Sequence, residues 1–547
     1  MQLKSQPTNK SGNGVKSQQH MSVTKTIAKN TMFSFITDAS DILVNLVVGI
    51  ILARFLGPAD YGLYSFLIWF LFFIALFANL GLGHMVIRFI AESMGRQIEG
   101  EVKQLASLAF WLRTLVTVLF IIILIGSIGY WANVFGYPEN QELFIILALA
   151  ILPQGLNALM VSIFSGFQKY EYGAYLILGT NPLRALGIII VCAMGLGIRE
   201  ILLVSLGSWV LGIFIGLFLL RRLIPLNSIL VRPRFNPEMK RALKYSMIMM
   251  GVMAVSYFMN QRAEILFLGI FHPGEAIGFY TIAFLVSGST VGLILRVFST
   301  VLIPAISEQI GRGDMERVRA IYLTSARYLM IVGIPLAAGG IVLAGPIISV
   351  VYGIEYEPAV LLLQILFIPF TFMAIANSAT SVILAVNRPS FVLKVGAGLV
   401  ILSVALELWL IPIYGATGAA IGSSVARIIA PIFYIRFASR ECQTSWPIGD
   451  TIKISIAAAI MAGIIFGIGQ FIERPSISIV TLVPLGVVIH FILIVIFRVV
   501  REQDISTLRQ IQESLPGFLG RGYGALLGFV EKMAKKGWIP GKENKIE

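Results

Sequence analysis

Apolar residues fall in long stretches of about 18 to 25, separated by short polar segments, and that length of helix crosses a hydrocarbon core of ~30 Å. Fourteen such windows stand out, near 32–56, 63–83, 106–129, 143–166, 173–195, 200–220, 246–270, 280–307, 328–351, 359–386, 391–413, 416–436, 451–472 and 478–498. They lack the short alternating segments of an outer-membrane barrel, so the pattern predicts an all-α polytopic membrane protein. Composition agrees: of 547 residues 57% are hydrophobic and only 13% charged. A mean hydropathy of +0.86 excludes an ordinary soluble domain.

The formal net charge is +14, and its placement says more than its size. With the N-terminus inside, the inner segments carry 34 of the 42 Lys and Arg, and the outer loops carry two, Arg199 and Arg474. The remaining six lie within the windows and away from their inner ends, while Lys394, Arg436, Lys453 and Arg498, near the inner ends of theirs, are counted with the inner segments they adjoin. One missed helix would swap every later loop, so this asymmetry predicts both termini on the cytoplasmic side of the cell membrane and supports the count. The first apolar run is too long for a cleaved signal peptide and contains Asp38 and Asp41. The two cysteines, Cys192 in an apolar run and Cys442 in a basic loop, read as inert thiols.

The outer loops are short, the longest spanning 129–142, which leaves any function among the helices. The largest inner loop, 221–245, is basic and proline-punctuated and reads as a linker. Two sequence echoes straddle it. FLGPADYGLYSF (55–66) aligns with IFHPGEAIGFYTIAF (270–284), and SGFQKYEYGAYL (165–176) aligns with LAVNRPSFVLKV (384–395) at a similar offset. They imply two six-helix lobes, 31–220 and 246–440, in parallel repeat around a central cavity. A cytoplasmic tail (1–30), two further helices (451–500) and a second tail (501–547) complete the chain. Within that second tail GFLGRGYGALLGFVEKMAKK (517–536) reads as an interfacial helix.

No nucleotide, zinc or thiol-redox motif occurs, and the chain calls for no cofactor, metal or nucleic acid. A membrane-embedded glycosyltransferase needs a carboxylate beside a substantial aqueous domain, which short loops do not supply. An enzyme is therefore not expected. Charge inside the bilayer costs several kcal/mol unless it meets a partner or a cavity, so interior charges mark candidate sites. These are Asp38, Asp41, Arg113, Arg184, Arg262, Glu264, Arg296, Glu407 and Arg427, with Arg54 near the outer interface. Arginines dominate, and guanidinium holds phosphate in bidentate fashion. Arg184, Arg262, Arg296 and Arg427 are the candidates for an anionic substrate. Asp38, Asp41 and Glu264 are candidates for a coupling ion or for structural ion pairs, Glu264 with an arginine of a neighbouring helix, and the residues alone leave that choice open.

ARFLGPADYGLYSF (53–66), ANLGLGHMVIRFIAE (78–92), GPIISVVYGIEYEPAVLLLQIL (345–366) and the run 384–427, with IPIYGATGAA at 411–420, resemble the polysaccharide-biosynthesis, or Wzx-like oligosaccharide flippase, family of the multidrug/oligosaccharidyl-lipid/polysaccharide exporter superfamily. The resemblance covers most of residues 25–500. It implies two lobes around a central cavity and movement of a lipid-linked oligosaccharide, on a polyprenyl or dolichyl phosphate or diphosphate, from the inner to the outer leaflet by alternating access. Membrane lipids and cytoplasmic glycosyltransferases are the implied neighbours. Many relatives carry Asp where this chain has Glu264. A cation-coupled multidrug exporter of the same superfamily and a non-transporting scaffold are the competing readings, and the arginine excess disfavours the first.

Overall fold

The computed structural model describes residues 12–231, 233, 236–260, 263–501, 504 and 528; described side chains begin at Lys29 and leave out those of Asp38 and Arg296, among others. The segment 517–536 therefore lies outside the described residues apart from Gly528. All regular structure among the described residues is helical, and the chain divides into two compact units, Met1–Phe258 and Met259–Glu547.

The first unit begins with α1 (Gly12–Asn79), which joins the first two predicted windows through a single break at Gly57 (φ 72°, ψ 174°). Only glycine adopts that backbone without strain, and Pro58 behind it offers no amide hydrogen to continue the helix. Then follow α2 (Leu82–Gly95), α3 (Glu99–Gly126), α4 (Ile128–Val134), α5 (Gln141–Gly166), α6 (Tyr170–Ala193), α7 (Ile198–Leu220), the single turn α8 (Leu226–Leu230) and α9 (Pro237–Asn260), whose end crosses into the second unit.

Helix α2 occupies part of what the sequence reads as a cytoplasmic loop. Its 14 residues are too few to span a bilayer. It buries Leu82, Met85, Val86, Phe89, Ile90 and Ser93, the spacing of one helical face. That face packs with Leu105 and Ala109 of α3 and with Met160, Ile163 and Phe164 of α5. Close approach relies on small residues, as expected where lipid offers no hydrophobic drive between helices. A Cβ on Gly166 of α5 would stand 2.9 Å from the Val86 carbonyl oxygen of α2. The α1–α2 turn is pinned to α9, where Ser246 Oγ donates to the Leu80 carbonyl at 2.5 Å.

The second unit holds α10 (Glu264–Phe271), α11 (Glu275–Gly311), α12 (Met315–Val351), α13 (Ala359–Ile375), α14 (Asn377–Ala385), α15 (Pro389–Glu441), α16 (Ile448–Gly469) and α17 (Pro475–Ile496). Helix α15 joins two predicted windows, as α1 does, and breaks at Gly415 (φ 54°, ψ −131°). Its arms fold back on each other. A Cβ on Gly418 would meet the Ile411 amide at 3.0 Å, and one on Gly422 would meet Glu407 Cγ at 3.2 Å. The second arm is small where the first arm carries bulk, which lets the hairpin close.

Ten helices among the described residues are long and apolar enough to cross a membrane, α1 and α15 each counted once. The internal repeat is written into the turns. Left-handed residues recur 216 to 220 positions apart as Gly57 and Gly274, Gln97 and Gly313, Gly136 and Gly353, Gln168 and Asn387, and Gly195 and Gly415. At the fourth pair even the hydrogen bonds match: Lys169 N donates to Phe164 O at 2.9 Å, and Arg388 N donates to Ile383 O at 3.0 Å. Both close a helix by the same left-handed C-terminal motif.

Candidate functional site

Each unit contains a charged cluster among its helices. In the second unit the α15 hairpin sets Glu407 on one arm opposite Gly422 on the other, with Ser423 next to it and Arg427 one turn beyond Ser423. Glu264 enters from the first turn of α10. Arg427 Nη2 donates to Glu264 Oε1 at 3.0 Å, with both side chains buried. The Arg427 guanidinium lies over Phe284 of α11 and Phe370 of α13, at 5.2 and 6.0 Å from the ring centroids. Those rings are a favourable surface for a desolvated cation. Ser403, one turn before Glu407, donates its Oγ to Glu407 Oε1 at 2.6 Å. Tyr280 of α11 stands 3.4 Å from Ser423 Oγ.

The cluster thus holds two carboxyl groups for one guanidinium, all withdrawn from solvent. Glu264 Oε2, Glu407 Oε2 and Arg427 Nη1 have no hydrogen-bond partner among the described residues. A buried carboxylate without a counter-charge is too costly to persist, so neutrality requires one further positive charge, and a proton suffices. Among the described residues no group of three or more His, Cys, Asp or Glu side chains is arranged to hold a metal ion.

In the first unit Asp41 and Asn45 on α1 face Asn181 and Arg184 on α6. Asp41 Oδ1 accepts from Asn45 Nδ2 at 3.0 Å and from Asn181 Nδ2 at 2.9 Å. Arg184 Nη2 donates to Asn45 Oδ1 at 2.8 Å. The amide of Asn45 therefore bridges the acid and the base. Arg184 makes no ion pair among the described residues, and its Nε has no partner there. This half-buried guanidinium retains donors for an anion.

Of the residues singled out from sequence, Arg427 and Glu264 meet each other, Asp41 and Arg184 share one hydrogen-bonded network, and the two groups fall in different units. Arg262 lies outside the described residues, and so do the side chains of Asp38 and Arg296. Glu407 carried a sequence signal as an intramembrane acid, whereas its partners Ser403 and Gly422 carried none until the hairpin was seen. Two further buried cations lie elsewhere. Arg113 of α3 reaches the Ala75 carbonyl at 3.3 Å. Arg327 of α12 meets Asp504 at 2.7 Å, in the segment that sequence reads as a tail.

Long apolar helices, small-residue packing and turns that recur at a fixed offset define a helical multi-pass membrane protein. Solved structures share the fold: the lipid II flippase MurJ in an inward closed conformation (TM-score 0.69, 19% identity, 85% of this chain and 98% of that one). An inward-facing multidrug resistance MATE family transporter follows at TM-score 0.55 and 16% identity, covering 73% of this chain and 94% of that one. The profile of the polysaccharide biosynthesis protein family matches residues 51–361, more than half of the chain, and the chain belongs to that family, one of transporters and not enzymes. Among curated relatives, the probable low-salt glycan biosynthesis flippase Agl15 of Haloferax volcanii is 21% identical over 457 residues, covering 83% of this chain and 93% of Agl15. The probable flippase AglR of the same organism is 24% identical over 208 residues, 38% of this chain and 43% of AglR.

Proposed function

We propose that the chain is a flippase that carries a lipid-linked oligosaccharide, on a polyprenyl or dolichyl phosphate or diphosphate, from the cytoplasmic to the outer leaflet by alternating access. The observation that carries this reading is the match to a probable glycan biosynthesis flippase along 93% of that protein's length. The charge asymmetry supports both termini in the cytoplasm of a cell with this protein in its plasma membrane. Fourteen spans follow, in two six-helix lobes and a final pair, if each arm of α1 and α15 crosses separately and α9 with α10, and α11, cross as well.

In this reading Arg184 takes the cargo phosphate, because it is the described interior arginine that is half-buried, held in place by an amide and unmatched by an acid. Arg262 and Arg296 are further candidates by sequence, and Arg427 contributes only when its bond to Glu264 opens. Glu407 carries the proton that couples the cycle, beside the Arg427–Glu264 pair, with Asp41 and Asp38 as the candidate acids of the first lobe.

The test is translocation of a fluorescent polyprenyl-diphosphate oligosaccharide in proteoliposomes at equal reconstitution. Wild type transports it, and Arg184→Ala lowers the rate by about tenfold or more, since a charge-assisted hydrogen bond contributes ~1.5–3 kcal/mol. Glu407→Gln removes the dependence on a proton gradient. Wild-type inactivity toward every lipid-linked sugar, with export of a cationic drug, overturns the reading.

A further inference from the structure

Helix α7 carries one feature to which the proposed function assigns no role. Leu211, Phe214 and Phe218 lie on one face and are 39%, 66% and 44% exposed. Their spacing of three and four residues continues to Arg221 and Arg222 just past the helix end. Both guanidiniums rest on the same ring, with Cζ 4.1 Å (Arg221) and 5.0 Å (Arg222) from the Phe218 centroid.

Neither arginine side chain makes a hydrogen bond or an ion pair among the described residues, although ion pairs occupy Arg96 and Arg241 of the same unit. Nor do the helix-end carbonyls need them: Leu217 O and Leu219 O already accept from the backbone amides of Arg221 and Arg222. Two positive charges therefore sit side by side with their donors free, at the end of an exposed apolar stripe. From Leu211 to Phe218 the stripe rises ~10 Å, which stays within one leaflet.

We infer that this face seats one anionic phospholipid of the surrounding bilayer, its phosphate on Arg221 and Arg222 and an acyl chain along Phe218, Phe214 and Leu211. The occupant is a resident lipid and not cargo. Two adjacent guanidiniums complement an anionic phosphate head, and the exposed apolar stripe beside them offers contact for an acyl chain. Phe218 preorganises the two guanidiniums, so the site loses affinity when the ring is removed and the charges remain.

Native mass spectrometry of the full chain, with dioleoyl-phosphatidylglycerol and dioleoyl-phosphatidylcholine as probes, tests this. Wild type retains phosphatidylglycerol in preference, and binding falls roughly fivefold for each guanidinium removed in Arg221→Gln and Arg222→Gln. Phe218→Leu keeps both charges and lowers binding by about two- to fivefold. Unchanged retention in the double glutamine variant, or equal retention of phosphatidylcholine by wild type, overturns the proposal. So does preferential retention of polyprenyl phosphate, which makes the face a cargo dock. Thermal unfolding of each variant reports its folding, and should the double variant not fold, the Phe218→Leu result decides alone.

Discussion

The guanidinium of Arg113 occupies the space left by the missing side chain of Gly155: a Cβ there would stand 2.6 Å from Arg113 Nε and 2.8 Å from Cζ. A charged side chain on α3 is thereby threaded against α5, and its one described partner is the Ala75 carbonyl of α1. Gly155→Ala is expected to destabilise the protein by about 1–3 kcal/mol through overpacking. In an Arg113→Leu background the same substitution costs less. Thermal unfolding of the four proteins of that cycle in detergent measures the coupling.

Arg427 and Glu264 form a buried pair, and removing one member strands the other charge. Arg427→Met is expected to lower stability by about 3–5 kcal/mol, and Arg427→Met with Glu264→Gln to recover much of the loss. Unfolding of the single and double variants in detergent checks this. A double variant as unstable as the single would show that the pair is not what holds Arg427.

Asp504 ties the segment after α17 back to α12. Its Oδ1 accepts from Arg327 Nη2 at 2.7 Å and from Tyr328 at 2.6 Å, while Oδ2 accepts from the Arg501 amide at 2.8 Å. Asp504→Ala leaves Arg327 buried without its acid and is expected to cost about 3–5 kcal/mol. Arg501→Ala removes only the half-exposed pair with Asp450 and is expected to cost under ~1 kcal/mol. Comparing melting temperatures of the two variants distinguishes a keystone from a surface contact.

Burial pushes the Cys442 thiol up to about 11, against a smaller opposing pull from Arg319. The neutral thiol therefore persists through neutral pH, and the thiolate forms only as pH approaches that value. Maleimide labelling of a Cys192→Ser protein at pH 7.5 is expected to be slow while folded and to become fast on denaturation. Rapid labelling of the folded protein would show the thiol to be accessible.

Much of the fold was legible because lipid imposes one-dimensional rules. Backbone polar groups must pair within a segment, which makes each span a visible apolar window. Glycine and proline punctuate the helix ends, so the breaks at Gly57 and Gly415 fall between predicted windows. Helix α2 was missed because a short amphipathic helix carries polar residues on its other face and lowers the local hydropathy. The candidate sites were legible as residue types and not as partnerships. Glu264 and Arg427 are 163 residues apart, and nothing local says that one serves the other.

By itself, the sequence determined that this is a helical membrane protein, where its chain breaks, and which charged residues fall within apolar windows. These properties arise from transfer between water and lipid and from the backbone limits of glycine and proline, which act locally. The tertiary structure decided which charges neutralise each other and which remain free. Arg427 is matched by Glu264 while Arg184 is held only by an amide, a difference set by the side chains that packing brings within hydrogen-bond distance.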